Sequence, residues 1–208
     1  MKKYILALLA ILLIVPVAEA KRRESEEEIA RKTRHYKGWE LGLAARANLI
    51  FYEMDYMRIS GQKGVQAFKS QAKFGGNVML NAGYLFNNHW RLGVEAGAQI
   101  QYNYTSVPVY ATLHYFYGKR KNCLFNFINA GTNILFDHGL RFGATGAGGV
   151  GYRLQSPDGD MKYDITLGYQ VLMLNPRPVI EGEFSFDRSD VNRKALNQCV
   201  FLGFGITF

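Results

Sequence analysis

WRLGVEAGAQIQYNY (residues 90–104) separates into two sets when every second residue is read. Trp90, Leu92, Val94, Ala96, Ala98, Ile100, Tyr102 and Tyr104 are apolar or aromatic, while Arg91, Gly93, Glu95, Gly97, Gln99, Gln101 and Asn103 are polar or glycine. A side-chain period of two belongs to a β-strand, whose successive residues point to opposite faces. The run predicts a strand of about fifteen residues, well beyond the five or six usual in globular sheets. Such a length, with one apolar face, suits a tilted strand crossing a bilayer.

The same division recurs on either side. Trp39, Leu41, Leu43, Ala45 and Ala47 alternate with Glu40, Gly42, Ala44, Arg46 and Asn48, and Val78, Leu80, Ala82 and Tyr84 alternate with Asn77, Met79, Asn81 and Gly83. Val107, Val109, Ala111, Leu113 and Tyr115 oppose Pro108, Tyr110, Thr112, His114 and Phe116. In the least regular segment, residues 124–135, Ile128, Ala130, Thr132 and Ile134 oppose Phe127, Asn129, Gly131 and Asn133. Leu140, Phe142, Ala144, Val150 and Tyr152 oppose Arg141, Gly143, Thr145, Ala147, Gly149, Gly151 and Arg153. Met161, Tyr163, Ile165, Leu167, Tyr169, Val171 and Met173 oppose Lys162, Asp164, Thr166, Gly168, Gln170 and Leu172; Val200, Leu202, Phe204, Ile206 and Phe208 oppose Cys199, Phe201, Gly203, Gly205 and Thr207.

Eight such segments predict an all-β fold, an eight-stranded antiparallel up-and-down transmembrane β-barrel over residues 38–208. A soluble barrel of the same strand count would turn its apolar set inward around a ligand. The charges decide between the two. Glu40, Arg46, Arg91, Glu95, Arg141, Arg153, Lys162 and Asp164 all share the polar parity, and a basic residue facing lipid near the midplane costs about 2–4 kcal/mol. They are therefore expected inside, as a salt-bridge network that fills the narrow lumen. With a four-residue turn at 156–159, Arg153 would face Lys162 and lie diagonal to Asp164. Trp39, Tyr84, Trp90, Tyr104, Tyr115, Tyr117, Tyr152 and Tyr163 stand at strand ends, where interfacial aromatics belong.

Residues 146–151, GAGGVG, match the glycine fingerprint of dinucleotide-binding folds. That fingerprint needs a helix at its end to hold the pyrophosphate. Here the chain runs through Tyr152 to Gln155 and breaks at Ser156-Pro157-Asp158-Gly159, a turn. The glycines are mostly strand positions, where small inward residues make room for large neighbours such as Tyr110 and Phe116.

The first twenty residues have a basic start, an apolar run over residues 5–17 and an Ala18-Glu19-Ala20 exit, the pattern of a secretory signal peptide. A charged periplasmic leader is expected over residues 21–37. The chain carries 25 Lys+Arg against 17 Asp+Glu; without Lys2, Lys3 and Glu19 the net charge falls from +8 to +7. This excess is scattered rather than gathered on one face, so no nucleic-acid partner is expected. The connections at 87–89, 118–122 and 156–159 are compact and read as periplasmic turns. The outer side should hold two long loops, 48–73 and 175–197, and short turns near Thr105-Ser106 and at 136–139. Cys123 and Cys199 fall at opposite ends of the barrel, so no disulfide is expected between them.

The chain resembles the small outer-membrane β-barrels grouped as porin-family or OmpA-like proteins, over residues 38–208 and most recognisably in the closing strand, residues 200–208. The stretch VPVYATLHYFYGKRKNCLFNFINAG is similar to the strand-turn-strand of such barrels. The resemblance implies outer-membrane localisation, contact with outer-membrane lipids, and an assembly signal in Leu202, Phe204 and Phe208 read by the barrel-assembly machinery. Some barrels of this size modify lipid A. The deacylase type resembles a His-x-Ser pair, which none of His35, His89, His114 and His138 supplies, and Asp137-His138 has no serine beside it. No catalytic, cofactor or metal site is expected. The expected role is structural or surface-interacting, with a ligand for the outer loops an open question and a monomer as the default. A small channel for hydrophobic or small polar solutes is the alternative, and a lipid A enzyme the third.

Overall fold

The computed structural model describes residues 37–59, 65–69, 72–101, 104–118, 120–136, 140–156, 161–174 and 191–208. The signal peptide, all but the last residue of the leader, and Asp137-His138 lie outside them. Nine strands are described: β1 Gly38–Ile59, β2 Val65–Lys69, β3 Lys73–Leu85, β4 Trp90–Gln101, β5 Tyr104–Phe116, β6 Cys123–Phe136, β7 Leu140–Gln155, β8 Lys162–Leu174 and β9 Val191–Thr207. β1 and β3 to β9 pair with their chain neighbours, all antiparallel, and β9 closes on β1. The eight-stranded up-and-down barrel is thus closed, and closure leaves no free edge in the lipid.

Tracing partners round the wall from Glu40 through Gly83, Gly93, Thr112, Asn129, Ala147, Gln170 and Cys199 returns to β1 at Ile50, ten residues further on. This offset tilts the strands and leaves a lumen that side chains can fill. The two faces follow the alternation. Trp39, Val94, Ile100 and Leu202 are 58–76% exposed on the outside, whereas Glu40, Arg91 and Arg153 inside are at most 2% exposed. At the end that carries Gly38 and Phe208, Trp39, Tyr84 and Phe86 form one edge-to-face aromatic run, and Trp90, tilted against Tyr115, and Tyr117, edge-to-face with Tyr115, form another. Both sit where a lower interfacial girdle belongs.

Several boundaries differ from those the alternation suggests. The segment 90–104 belongs to two strands, because β4 ends at Gln101 and Tyr104 opens β5 opposite it. Thr105 and Ser106, expected at a turn, pair with Ile100 and Gln99. Aromatic and polar residues keep alternating through a hairpin this tight, so the pattern hides it. Residues 48–59, expected as loop, continue β1 through a bulge between Ile50 and Tyr52, pairing with the early part of β9 and with β2 on the opposite edge. The bulge reverses the parity of inward residues, from Asn48 and Ile50 to Glu53, and so breaks the sequence pattern. Finally, β7 and β8 are joined by residues 156–161, with the Ser156 amide donating to the Met161 carbonyl. The longer turn sets Arg153 directly opposite Asp164 and Lys162 opposite Gln155, correcting the register expected above.

Candidate functional site

The lumen is where the chain gathers its chemistry. Inward positions of β1, β4, β7 and β8 meet near the end carrying Gly38 and Phe208. There Arg153 lies between two carboxylates: its Nε and Nη2 donate to Asp164 at 2.8 and 2.7 Å, and its Nη1 donates to both oxygens of Glu40 at 3.1 and 3.2 Å. Glu40 also receives Lys162 Nζ at 2.5 Å and pairs with Arg91 Nε at 3.0 Å. The other arm of Arg91 donates to Asn81. One carboxylate therefore binds three cations from three other strands. A little higher, Arg46 donates to Glu95 across β1 and β4.

Rings close the space between these charges. Phe116 lies under the Arg153 guanidinium at 4.6 Å, and Phe201 faces that of Arg46 at 5.4 Å. His114 stacks on Phe125 with centroids 5.3 Å apart, and Phe127 bridges Phe125 to Phe201. This aromatic floor was not singled out in the sequence. Its signal was the set of inward glycines: a Cβ on Gly151 would strike the Phe125 ring, and one on Gly168 would stand 2.5 Å from Phe201. Gly149, Gly151 and Gly168 make room for the rings of Phe125, Phe127 and Phe201. Between the two ionic levels a cavity of about 30 Å³ remains, lined by Arg46, Asn81, Arg91, Glu95 and His114 among others. It is large enough for water, not for a solute.

Of the eight charges selected by parity, seven are joined in these two groups. Arg141 is not part of either; it sits opposite Leu135 at the far end of β7. Lys73 and Glu53 form a further ion pair near that end, at the mouth. Leu202, Phe204 and Phe208 are exposed on the outer face of β9 or just after it. Cys123 and Cys199 are both buried and are not joined in a disulfide, Cys123 opposite Arg153 and Cys199 opposite Gln170. His89 Nδ1 donates to the Phe116 carbonyl in the first short turn.

A closed barrel, apolar outside and charged inside, with compact turns at the end of its terminal strands, has the architecture of an outer-membrane β-barrel. No family model matches the chain, and no curated protein matches it. Among solved structures it is similar to the outer membrane protein OprG from Pseudomonas aeruginosa, at 12% identity over 84% of this chain and 97% of that one, with a TM-score of 0.49. It is also similar to Neisserial surface protein A, at 14% identity over 79% and 97% of the two chains and a TM-score of 0.35. A third likeness is to Ail, the attachment invasion locus protein of Yersinia pestis, at 13% identity over 80% and 99% and a TM-score of 0.32.

Proposed function

We propose that this outer-membrane barrel has a structural or surface-interaction role and is neither a through-pore nor an enzyme. The observation that carries the reading is the floor of the lumen. Glu40, Arg91, Arg153 and Asp164 are bonded across it, with Phe116 and Phe125 packed against them. A solute passing this level would have to part charges that are nearly sealed from water, and breaking a buried pair of that kind costs about 3–5 kcal/mol. The part free to meet a partner is the wall of β1, β2 and β9, whose strands run on together past the bulge at the loop end. The inward histidine His114 is stacked in the aromatic floor, so it is not offered as a general base.

Planar-bilayer conductance of the refolded chain tests this reading, with lipid A mass analysis after expression in a Gram-negative host alongside. The expected result is no stable open channel and unaltered lipid A. Steady conductance that rises when Glu40 is replaced by alanine would favour the channel alternative, and a new lipid A mass would favour the enzyme.

A further inference from the structure

The half of the lumen above the Arg46–Glu95 pair has a different chemistry from the half below it. Between that pair and Lys73–Glu53 at the mouth, the described inward residues are neutral. Asn48, Asn77, Gln99, Asn133, Gln101 and Asn197, from five strands, are each at most 4% exposed. Both polar atoms of Asn48, Asn77 and Asn133 have no hydrogen-bond partner among the described residues, and neither do Nε2 of Gln99 and Gln101 nor Oδ1 of Asn197. A buried amide group left unpaired costs about 1–3 kcal/mol, so this level of the barrel carries a large unmet demand for hydrogen bonds. What holds it shut is neutral as well. Asn197 donates to Gln101 across the lumen, and Gln170 donates to Tyr110, which donates to Gln99. Exchanging such bonds for those of a guest costs little net energy, unlike parting the ion pairs below.

We infer that the loop-end half of the lumen is a blind well that takes up small uncharged solutes bearing amide or hydroxyl groups and turns ions away. The unpaired amides supply both donors and acceptors, which matches a neutral polar guest. They offer no countercharge below the mouth, where Lys73, Glu53 and the inward-parity Arg141 stand, so an ion moving past those groups would leave its water without a partner. The apolar cluster of Ile50, Leu135, Leu172, Leu174 and Ala195 on one wall adds to that discrimination. The ionic floor ends the well, so uptake does not require a path through the barrel.

Cys199 reports on the well from within, because its thiol lies 3.6 Å from Gln170 Oε1 and is buried. The test uses the refolded full chain with Cys123→Ala, leaving Cys199 as the one thiol. Iodoacetamide and iodoacetate are nearly the same size and differ in charge. Their alkylation rates on the folded barrel are each divided by the rate on the urea-unfolded chain. The inference predicts that the corrected rate for iodoacetamide exceeds that for iodoacetate by about tenfold or more, as exclusion of a charge from a neutral interior requires. It also predicts that Asn133→Leu, which removes the demand at one position, slows iodoacetamide several-fold in barrels that still show the folded gel mobility. Equal corrected rates, or no reaction of either reagent before unfolding, would overturn the well. A closed pore by conductance would survive that result, so the two readings fail separately.

Discussion

At the scale of single residues, Glu40 is the position on which the lumen depends most. It holds Arg91, Arg153 and Lys162 at once, at 2% exposure. Glu40→Gln keeps the shape and removes the charge, which leaves three inward cations facing Asp164 alone. The expected loss is about 3–5 kcal/mol, as for other broken buried pairs, read as a lower urea midpoint for the folded gel form. Lys162→Met should cost less, about 1 kcal/mol, because Glu40 keeps Arg91 and Arg153 when Lys162 is removed. Equal losses at both positions would show that Glu40 is not the hub. The sequence makes the charges legible because they share one parity, and parity states which face a residue occupies. It says nothing of height along the barrel. That is why Arg141 was grouped with Arg153 although the two lie at opposite ends of β7, and why the Arg153–Asp164 pairing awaited the true length of the 156–161 turn.

Single strands show where such reading stops. In β7 the glycines divide by face: Gly146 has open space where a Cβ would stand, and Gly151 has the Phe125 ring. Gly146→Ala should therefore leave stability within about 0.5 kcal/mol of the parent, whereas Gly151→Ala should cost about 1–3 kcal/mol by overpacking. Urea midpoints of the two variants decide the matter, and matching values would refute the facing of β7. The glycine-rich run that imitates a nucleotide motif is thus legible as a strand from its flanks, but its ring partners come from β6 and depend on register. β1 is the clearest failure. A bulged residue at Phe51 shifts the period by one, so the continuation to Ile59 reads as loop although it pairs on both edges. In β5, Pro108 offers no N–H, and the ladder to β4 is interrupted between Ala96↔Val109 and Gln99↔Ser106 while the register is kept.

For the whole molecule, the sequence carries the fold more fully than the site. Alternation over eight segments determines that the polar set faces inward, since a charged exterior in lipid costs several kcal/mol per residue. The closure of β9 on β1 and the ten-residue offset round the wall follow from pairing, which no single segment contains. The result is a barrel graded along its axis, with charges and rings packed near the terminal strands and unpaired amides towards the loops. Everything rests on the claim that the wall is closed and turned inside out. Heat-modifiability tests it most directly: the chain is refolded in detergent and its gel mobility and β-sheet content are compared with and without boiling. A faster-migrating, β-rich form that is lost only on boiling is the result expected of a closed barrel. A β-rich protein that dissolves without detergent and migrates identically before and after boiling would contradict the account, because its apolar face would then have to lie inside.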